Sequence, residues 1–493
     1  MKSLLKAFGA VALSATIVHA GTDQKDLKKV IEDQGINYVE TAQKGITLSG
    51  YVDTSYTEQF AGPGEYAPST GIAGQNPGGG PPNTHNAGYT SSLTVPGPVG
   101  TLTGASGSLR AFDQSNNTFN INAVKIALEK ALPDKNEWAA GFRIDTIYGE
   151  DAKYLNDTAI NGSSNSSGLA LEQALVKFRI PVGNGLDVYM GKFVTFLGYE
   201  VIESPANLNF SRGLLFTNAI PLTNTGIYVD YKFNDIVEVK LGIVDGWNNS
   251  TSSSPSSSNV FNSTIGSPDD SGIHKAITGQ IAITAPGKNA NITQSFIFSP
   301  NGDAGAVENN STALIASGPF TPGTGIGTVD NGPLFVYDIW GNWNPTFVKD
   351  SALTLGFNAD FGYNGASGTP NVQGFPPTQN PFATILPNTD SNTWYGVALY
   401  ASYKVTKVFT LSARGEYLHE DAALNPKFGV ACVGNDDFSE TLTASFNIWD
   451  NLLTRVEYRY DHYTNGSTGG PFGIATGTFG SANEISLNAV YSF

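Results

Sequence analysis

The sequence has almost no cysteine and no long apolar run beyond its first residues. Cys432 is the only cysteine among 493 residues, so no internal disulfide can support the fold. A lone thiol also cannot form a zinc site. No stretch after Ala20 approaches the about 20 apolar residues that a transmembrane helix requires. These shortages exclude a disulfide-stapled scaffold and a helical membrane protein.

Charged residues are also scarce, and most of them are acidic. They make up 14% of the chain, and the formal net charge is -16. Soluble domains usually contain roughly 25% charged residues. Such an acidic chain binds nucleic acid poorly, and we expect no nucleic-acid partner. In their place the chain has 56 glycines and 11% aromatic residues, which are typical of a large β-protein with long, neutral loops.

The first 20 residues have the layout of a secretory signal peptide. Two lysines precede an apolar stretch from Ala7 to Val18, which ends at a small-residue cleavage site. The alternative is a buried N-terminal helix. We assign residues 1–20 to the signal peptide. Residues 21–44 have helical spacing of apolar residues and are assigned to a short N-terminal helix or linker.

From residue 45 to the end, apolar residues recur with a period of two. The pattern predicts about 16 strands, in which turns of about two to seven residues alternate with much longer loops. Segments near ten residues match a tilted strand that crosses a bilayer. A β-sandwich carries similar loops at both ends, and a propeller shows a blade repeat, so both fit poorly. We predict an all-β, transmembrane antiparallel barrel over residues 45–493, with short periplasmic turns and long extracellular loops.

Aromatic residues support this interpretation. Trp138, Tyr148, Tyr395 and Tyr403 lie near the ends of predicted strands, as in the two interfacial girdles of an outer-membrane barrel. The chain ends on Phe493 in an alternating strand, which can close the barrel by pairing with the first strand. We expect Phe493 to act as an assembly signal. The predicted partners are therefore outer-membrane lipid and the outer-membrane assembly machinery, and residues 21–44 would be periplasmic.

Between the fifth and sixth predicted strands the sequence carries a series of short motifs. They are Gly191-Lys192-Phe193, Gly198-Tyr199-Glu200, Glu203-Ser204-Pro205, Asn207, Ser211-Arg212, Leu215-Phe216, Pro221 and Thr225-Gly226. With these motifs, the stretch from Met190 to Tyr231 resembles the OmpL-like β-barrel porin-2 family. The resemblance extends over the predicted barrel, where the other strands match only in pattern. It implies an outer-membrane channel of a Gram-negative-type bacterium and does not fix the solute.

The third long loop, residues 196–222, differs from the Gly- and Ser-rich loops around it. It combines apolar residues with glutamates and an arginine, which a loop folded inside the barrel would need. The alternative is an ordered surface cap. We further expect Glu200 and Glu203 to face a basic arc of the wall formed by Arg143, Lys177 and Arg179, which would set a transverse field. The predicted constriction residues are Glu200, Glu203, Asn207, Asn209 and Arg212.

Charges of both signs also fall on the predicted inner face of the strands. Such groups are costly in a sealed core and tolerated in a water-filled lumen. A barrel of about 16 strands is too wide for its side chains to fill, so the geometry predicts an aqueous channel. We expect passive diffusion of small hydrophilic solutes and ions, with no cofactor or metal, and a homotrimer is possible. The predicted wall residues are Arg143, Asp145, Lys177, Arg179, Asp230, Arg414, Glu416, Arg455, Glu457 and Arg459.

Three other functions stay open at this level. A structural or adhesive surface protein would use the long loops, although these look flexible rather than shaped for recognition. A barrel enzyme would need a nucleophile with a neighbouring base, and the sequence contains no G-x-S-x-G motif. A secreted, soluble β-sandwich with a carbohydrate-binding role would show two similar sets of loops. We expect a non-enzymatic channel.

Overall fold

The structure is a computed structural model, and the statements below concern the residues that it describes. The predicted signal peptide and the predicted helix or linker of residues 21–44 lie outside those residues. Within them, no helix is long and apolar enough to cross a membrane. The described residues are 45–60, 92–95, 100–103, 112–113, 117–133, 135–155, 168–246, 275–300, 329–330, 333–348, 352–365, 367–368, 392–420, 424–425, 430–431, 435–465 and 480–493.

Sixteen antiparallel strands form one closed barrel. Their side chains alternate between two faces, so the period of two in the sequence becomes an outer and an inner surface. The strands are β1 (Ile46–Phe60), β2 (Thr118–Lys130), β3 (Ala139–Tyr148), β4 (Leu169–Ile180), β5 (Leu186–Val194), β6 (Thr223–Lys232), β7 (Val237–Val244), β8 (Ala276–Thr284), β9 (Ala290–Ser299), β10 (Leu334–Trp343), β11 (Leu353–Asn364), β12 (Asn392–Lys404), β13 (Phe409–Glu420), β14 (Asn435–Trp449), β15 (Leu452–Asn465) and β16 (Gly480–Ser492).

The barrel closes between its first and last strands. Each strand pairs with its neighbour in the sequence, and β1 pairs with β2 on one side and β16 on the other. In the closing register Tyr51 lies opposite Ser492. Phe493 continues this pairing, because its backbone N–H donates to Gly50 O at 2.9 Å and its carbonyl accepts from Gly50 N at 3.0 Å. Closure leaves no strand edge unpaired, and the predicted sixteen-stranded antiparallel barrel is confirmed.

The outer face is apolar and the inner face is polar. On β14, Leu442 points outward and is 61% exposed, whereas the adjacent Thr443 is buried on the inner face. Aromatic side chains occupy the outer face near both ends: Trp138 and Trp449 near the short turns, and Tyr148 near the long loops. This distribution is that of a lipid-facing band with two aromatic girdles.

Three of the long loops reach the interior of the barrel in the part that the structure describes. We name them L1 (residues 61–117), L2 (149–168) and L3 (195–222). L2 contains a 3-10 helix at Asp151–Tyr154. L3 contains a 3-10 helix at Ser204–Ala206 and a π-helix at Leu215–Ala219. Short hairpins pair Ser92–Val95 with Gly100–Thr103, Val329–Asp330 with Ser367–Gly368, and Leu424–Asn425 with Val430–Ala431.

The main apolar core lies inside the barrel. Apolar side chains of L3 pack with Phe112 of L1 and Leu155 of L2 and with inward residues of the wall, such as Trp394. The core thus holds three loops together in the interior of a barrel whose lipid-facing side is itself apolar. The buried L3 members are Leu197, Ile202, Phe210, Leu214, Leu215, Phe216, Ala219, Ile220 and Leu222.

Candidate pore constriction

L3 crosses the interior of the barrel and is buried there. Its base is closed by a hydrogen bond from Thr195 N to Leu222 O at 3.0 Å. Every residue from 209 to 224 is buried, which a cap lying on the surface would not show. Apolar L3 side chains account for part of this burial, and the rest comes from polar groups that bind the wall. These wall contacts determine the shape of the constriction.

The first anchor of L3 is Arg414 on β13. Its guanidinium contacts Glu200 Oε1 at 2.7 Å and donates to Ser211 O at 2.6 Å. Glu416, two residues along the same inner face, lies 2.9 Å from Arg414. Glu200 also accepts a hydrogen bond from Gly213 N at 2.7 Å. One buried arginine therefore holds both limbs of L3 against β13.

The second anchor is the inner face of β15. Glu457 accepts hydrogen bonds from Phe210 N at 2.6 Å and Ser211 N at 2.9 Å. Arg455 donates to the carbonyl oxygens of Ser204 and Asn209, both at 3.1 Å. These contacts satisfy buried backbone groups of L3 that water could not reach. Farther along the same face, the Arg459 guanidinium donates to the Arg212 carbonyl at 2.8 Å.

The two predicted asparagines of L3 have different surroundings. Asn209 is buried, and its amide donates to Thr443 Oγ1 on β14 at 2.6 Å. The Asn207 side chain instead bridges within L3, accepting from Val201 N at 2.9 Å and donating to Val201 O at 2.7 Å. Asn209 therefore fixes L3 to the wall, while Asn207 fixes the conformation of the loop itself.

Arg212 joins L3 to L2 and L1. Its guanidinium lies 3.0 Å from Asp151 in the 3-10 helix of L2 and 4.8 Å from the ring of Phe112 in L1. Both members of the ion pair are buried, and burial raises the pKa of Asp151 to about 7, against the opposing influence of Arg212. Arg212 therefore serves contacts between loops and does not face open lumen.

Glu203 binds a different part of the wall, through Lys125 on β2, which lies five strands from β13 in the closed barrel. The two side chains are 2.5 Å apart, and Lys125 also lies 3.1 Å from Asp145 and 2.9 Å from Glu172. Burial acts to raise the pKa of Glu203, but the ammonium of Lys125 outweighs it and lowers the pKa to about 2. Sequence reasoning missed Lys125, although it shares the inner face of β2 with Glu129.

The predicted pairing of both glutamates with the basic arc is wrong for Glu200, and Glu203 forms its ion pair with Lys125 and not with a residue of the arc. Glu200 pairs with Arg414 on the far side of L3, because the loop crosses the barrel and its two glutamates point to different walls. The arc itself is neutralised by carboxylates of its own wall. Arg143 lies 2.8 Å from Asp145, Arg179 lies 2.6 Å from Asp187, and Lys177 binds Glu129.

Among the described site residues, the charged side chains with appreciable exposure lie on the β2–β4 side of L3. The side chains of Arg143 and Glu129 are 27% and 31% exposed to solvent, and that of Glu203 is 20% exposed. On the other side of L3, the side chains of Arg414 and Glu200 are 0% and 4% exposed. The remaining predicted wall residue, Asp230 on β6, lies opposite Asp187 on β5, on the same side as the basic arc. The predicted constriction and wall residues are thus divided between a sealed side and a polar side that faces β2–β4.

A family model described as "Putative beta-barrel porin-2, OmpL-like" matches residues 45–493. A comparison with curated protein sequences gave no significant match.

Several solved structures of outer-membrane proteins match the chain at low sequence identity. The outer membrane channel DcaP of Acinetobacter baumannii has 11% identity and a TM-score of 0.47, with 91% of this chain and 97% of that chain covered. OprB of Pseudomonas putida has 12% identity and a TM-score of 0.48, with 96% and 97% covered. A trimer form of OmpT of Vibrio cholerae has 11% identity and a TM-score of 0.40, with 91% and 99% covered.

Proposed function

Because the chain belongs to the OmpL-like β-barrel porin-2 family, it is an outer-membrane porin, and we propose that solutes pass between L3 and the wall formed by β2–β4. The main support is the distribution of exposed charge around L3. Arg143, Glu129 and Glu203 keep access to solvent, whereas Arg414 and Glu200 are almost fully buried. Water and small hydrophilic solutes need such a polar, solvated path.

The mixed charges favour a weakly selective channel over a filter for ions of one sign. Arg143 and Lys177 stand beside Glu129, so opposite charges alternate along the wall. Glu203 adds a carboxylate from the loop side, close to Lys125. A solute crossing this path meets donors and acceptors on both sides, which suits passive diffusion of small polar molecules. We propose no enzymatic activity for the chain.

Single-channel recording with two opposite substitutions tests the path. Arg143→Gln removes a positive charge from the wall, and Glu203→Gln removes a negative charge from the loop. In a salt gradient we expect the reversal potential to shift toward cations in the first variant and toward anions in the second. Glu440→Gln, a matched carboxylate change on the outer face of β14, should leave the potential unchanged. Unchanged reversal potentials in both lumen variants would place the path elsewhere.

The oligomeric state stays a prediction. A homotrimer would be consistent with the porin family, and cross-linking of the protein in native membranes, followed by mass measurement, tests it.

A further inference from the structure

A pair of carboxylates lies on the inner face of the barrel, away from the proposed path. Asp338 on β10 is directly opposite Asp360 on β11 in the strand register. Both are buried, at 0% and 4% exposure. The amide of Asn358 donates to Asp338 at 2.7 Å and to Asp360 at 3.1 Å, so one side chain spans both carboxylates. The two acidic groups therefore share one small, enclosed space.

Asp338 lacks the ion pairs that balance other buried charges in the interior of the barrel. Three carboxylates surround Lys125, and two surround Arg414. Within the part of the chain that the structure describes, Asp338 forms no ion pair with a lysine or arginine, and its hydrogen-bond partners are Asp360, Asn358 and the backbone N–H of Gly198. Its Oδ1 atom is buried and accepts no hydrogen bond from the described residues as long as both carboxyls are ionised. A buried carboxylate without a counter-charge is costly, so this position calls for a positive charge.

We infer that Asp338 and Asp360 bind one divalent cation of the calcium or magnesium class. These hard cations take oxygen ligands, and paired carboxylates completed by carbonyl oxygens or water are a usual set. The amide of Asn358 binds Asp338 Oδ2 and Asp360 Oδ2, which leaves Asp338 Oδ1 without a donor among the described residues. The cluster around Lys125 is different, because there the ammonium of the chain already occupies the centre.

The cation would fix the beginning of L3 to this part of the wall. Gly198 donates its backbone N–H to Asp338, and Tyr199 N donates to Asn358 Oδ1 at 2.7 Å. The ring of Tyr199 also stacks on Tyr400 at 4.3 Å. Holding the two carboxylates in place therefore holds the segment that leads L3 into the barrel. This anchoring of L3 is independent of the route that solutes take.

Terbium luminescence of the purified, chelator-treated protein tests the site. Tb³⁺ takes the same oxygen ligands, and Trp340, two residues from Asp338 on the same face, is placed to sensitise its emission. We expect Trp-excited emission that Ca²⁺ competes away and K⁺ does not. Asp338→Asn and Asp360→Asn should each weaken the apparent affinity by at least about tenfold. Asp436→Asn, an acidic residue near the start of β14, should behave as wild type.

Thermal unfolding provides a second readout that does not depend on tryptophan. Added Ca²⁺ or Mg²⁺ should raise the melting temperature of the wild type and leave that of Asp338→Asn unchanged. The two aspartate variants serve as alternatives if one of them fails to fold. Tb³⁺ emission and affinity unchanged in both variants would overturn the inference. A second outcome would also overturn it: divalent cations do not raise the melting temperature of the wild type, and Asp338→Asn melts at a higher temperature than the wild type. The two carboxyls would then share a proton instead of a cation.

Discussion

Glu457 is the position where one substitution should release L3 from the wall. Its carboxylate accepts the backbone N–H groups of Phe210 and Ser211 and the hydroxyl of Thr443 at 2.7 Å. Glu457→Ala removes all three interactions at once. The strand pairing of β15 uses backbone groups only, so the barrel itself should persist. The expected effect is therefore local opening of L3.

The magnitude follows from the two backbone N–H groups. A buried donor that loses its partner costs about 1–3 kcal/mol, so two of them cost about 2–6 kcal/mol. Water entering the vacated space recovers part of this, and we take about 3 kcal/mol as the loss in the free energy of L3 opening. Since about 1.4 kcal/mol is a tenfold change in an equilibrium constant, the open population should rise about 100-fold.

Limited proteolysis with trypsin measures this opening at Arg212. The residue is 1% exposed, and its carbonyl accepts from Arg459, so cleavage there requires L3 to leave the wall. When opening is fast relative to cleavage, the rate follows the open population. The fragment that ends at Arg212 should therefore appear about 100-fold faster in Glu457→Ala, as followed by mass spectrometry.

A matched control separates this effect from general weakening of the wall. Asp187→Ala also removes a lumen carboxylate, but its partner is Arg179 on the neighbouring strand. Cleavage at Arg212 should stay at the wild-type rate in that variant. If Glu457→Ala and wild type release the Arg212 fragment equally fast, the backbone hydrogen bonds to Glu457 do not hold L3, and the reasoning fails.

Three further predictions test the barrel and its interior. Leu442→Arg, on the lipid-facing side of β14, should lower the free energy of unfolding by about 2–4 kcal/mol, against about 0–1 for Ile448→Arg near the strand end. Equal losses in chemical unfolding would contradict the assigned depth. Deleting Phe493 removes both hydrogen bonds to Gly50, so the heat-modifiable folded band should form more slowly than in Phe493→Tyr; equal rates would argue against an assembly role. Lys125→Met leaves three carboxylates without their ammonium and should lower the free energy of unfolding by about 3–5 kcal/mol. Lys125→Arg, which keeps the positive charge, should lower it less.

The barrel could be predicted from the sequence because its signal is local. Each strand alternates outward apolar and inward polar residues, and the short turns separate the strands clearly. The inward folding of L3 was also foreseeable, since apolar residues such as Phe210 and Leu214 would not remain in a solvated loop. The partners of L3 were not, because they come from distant parts of the chain. Glu200 and Arg414 are 214 residues apart in sequence, and no local pattern relates them.

Glu172 shows how a small irregularity hides a functional group. If β4 alternated strictly, Gln173, Leu175 and Lys177 would lie on the inner face. Glu172 would then point toward lipid. The β4–β3 register shifts between Asp145 and Thr146, so the two sides of this bulge are offset by one residue. Glu172 and Gln173 are consequently both buried, at 0% and 6% exposure. One extra residue thus places the carboxylate of Glu172 beside Lys125. Strict alternation would have predicted that this carboxylate faces the membrane.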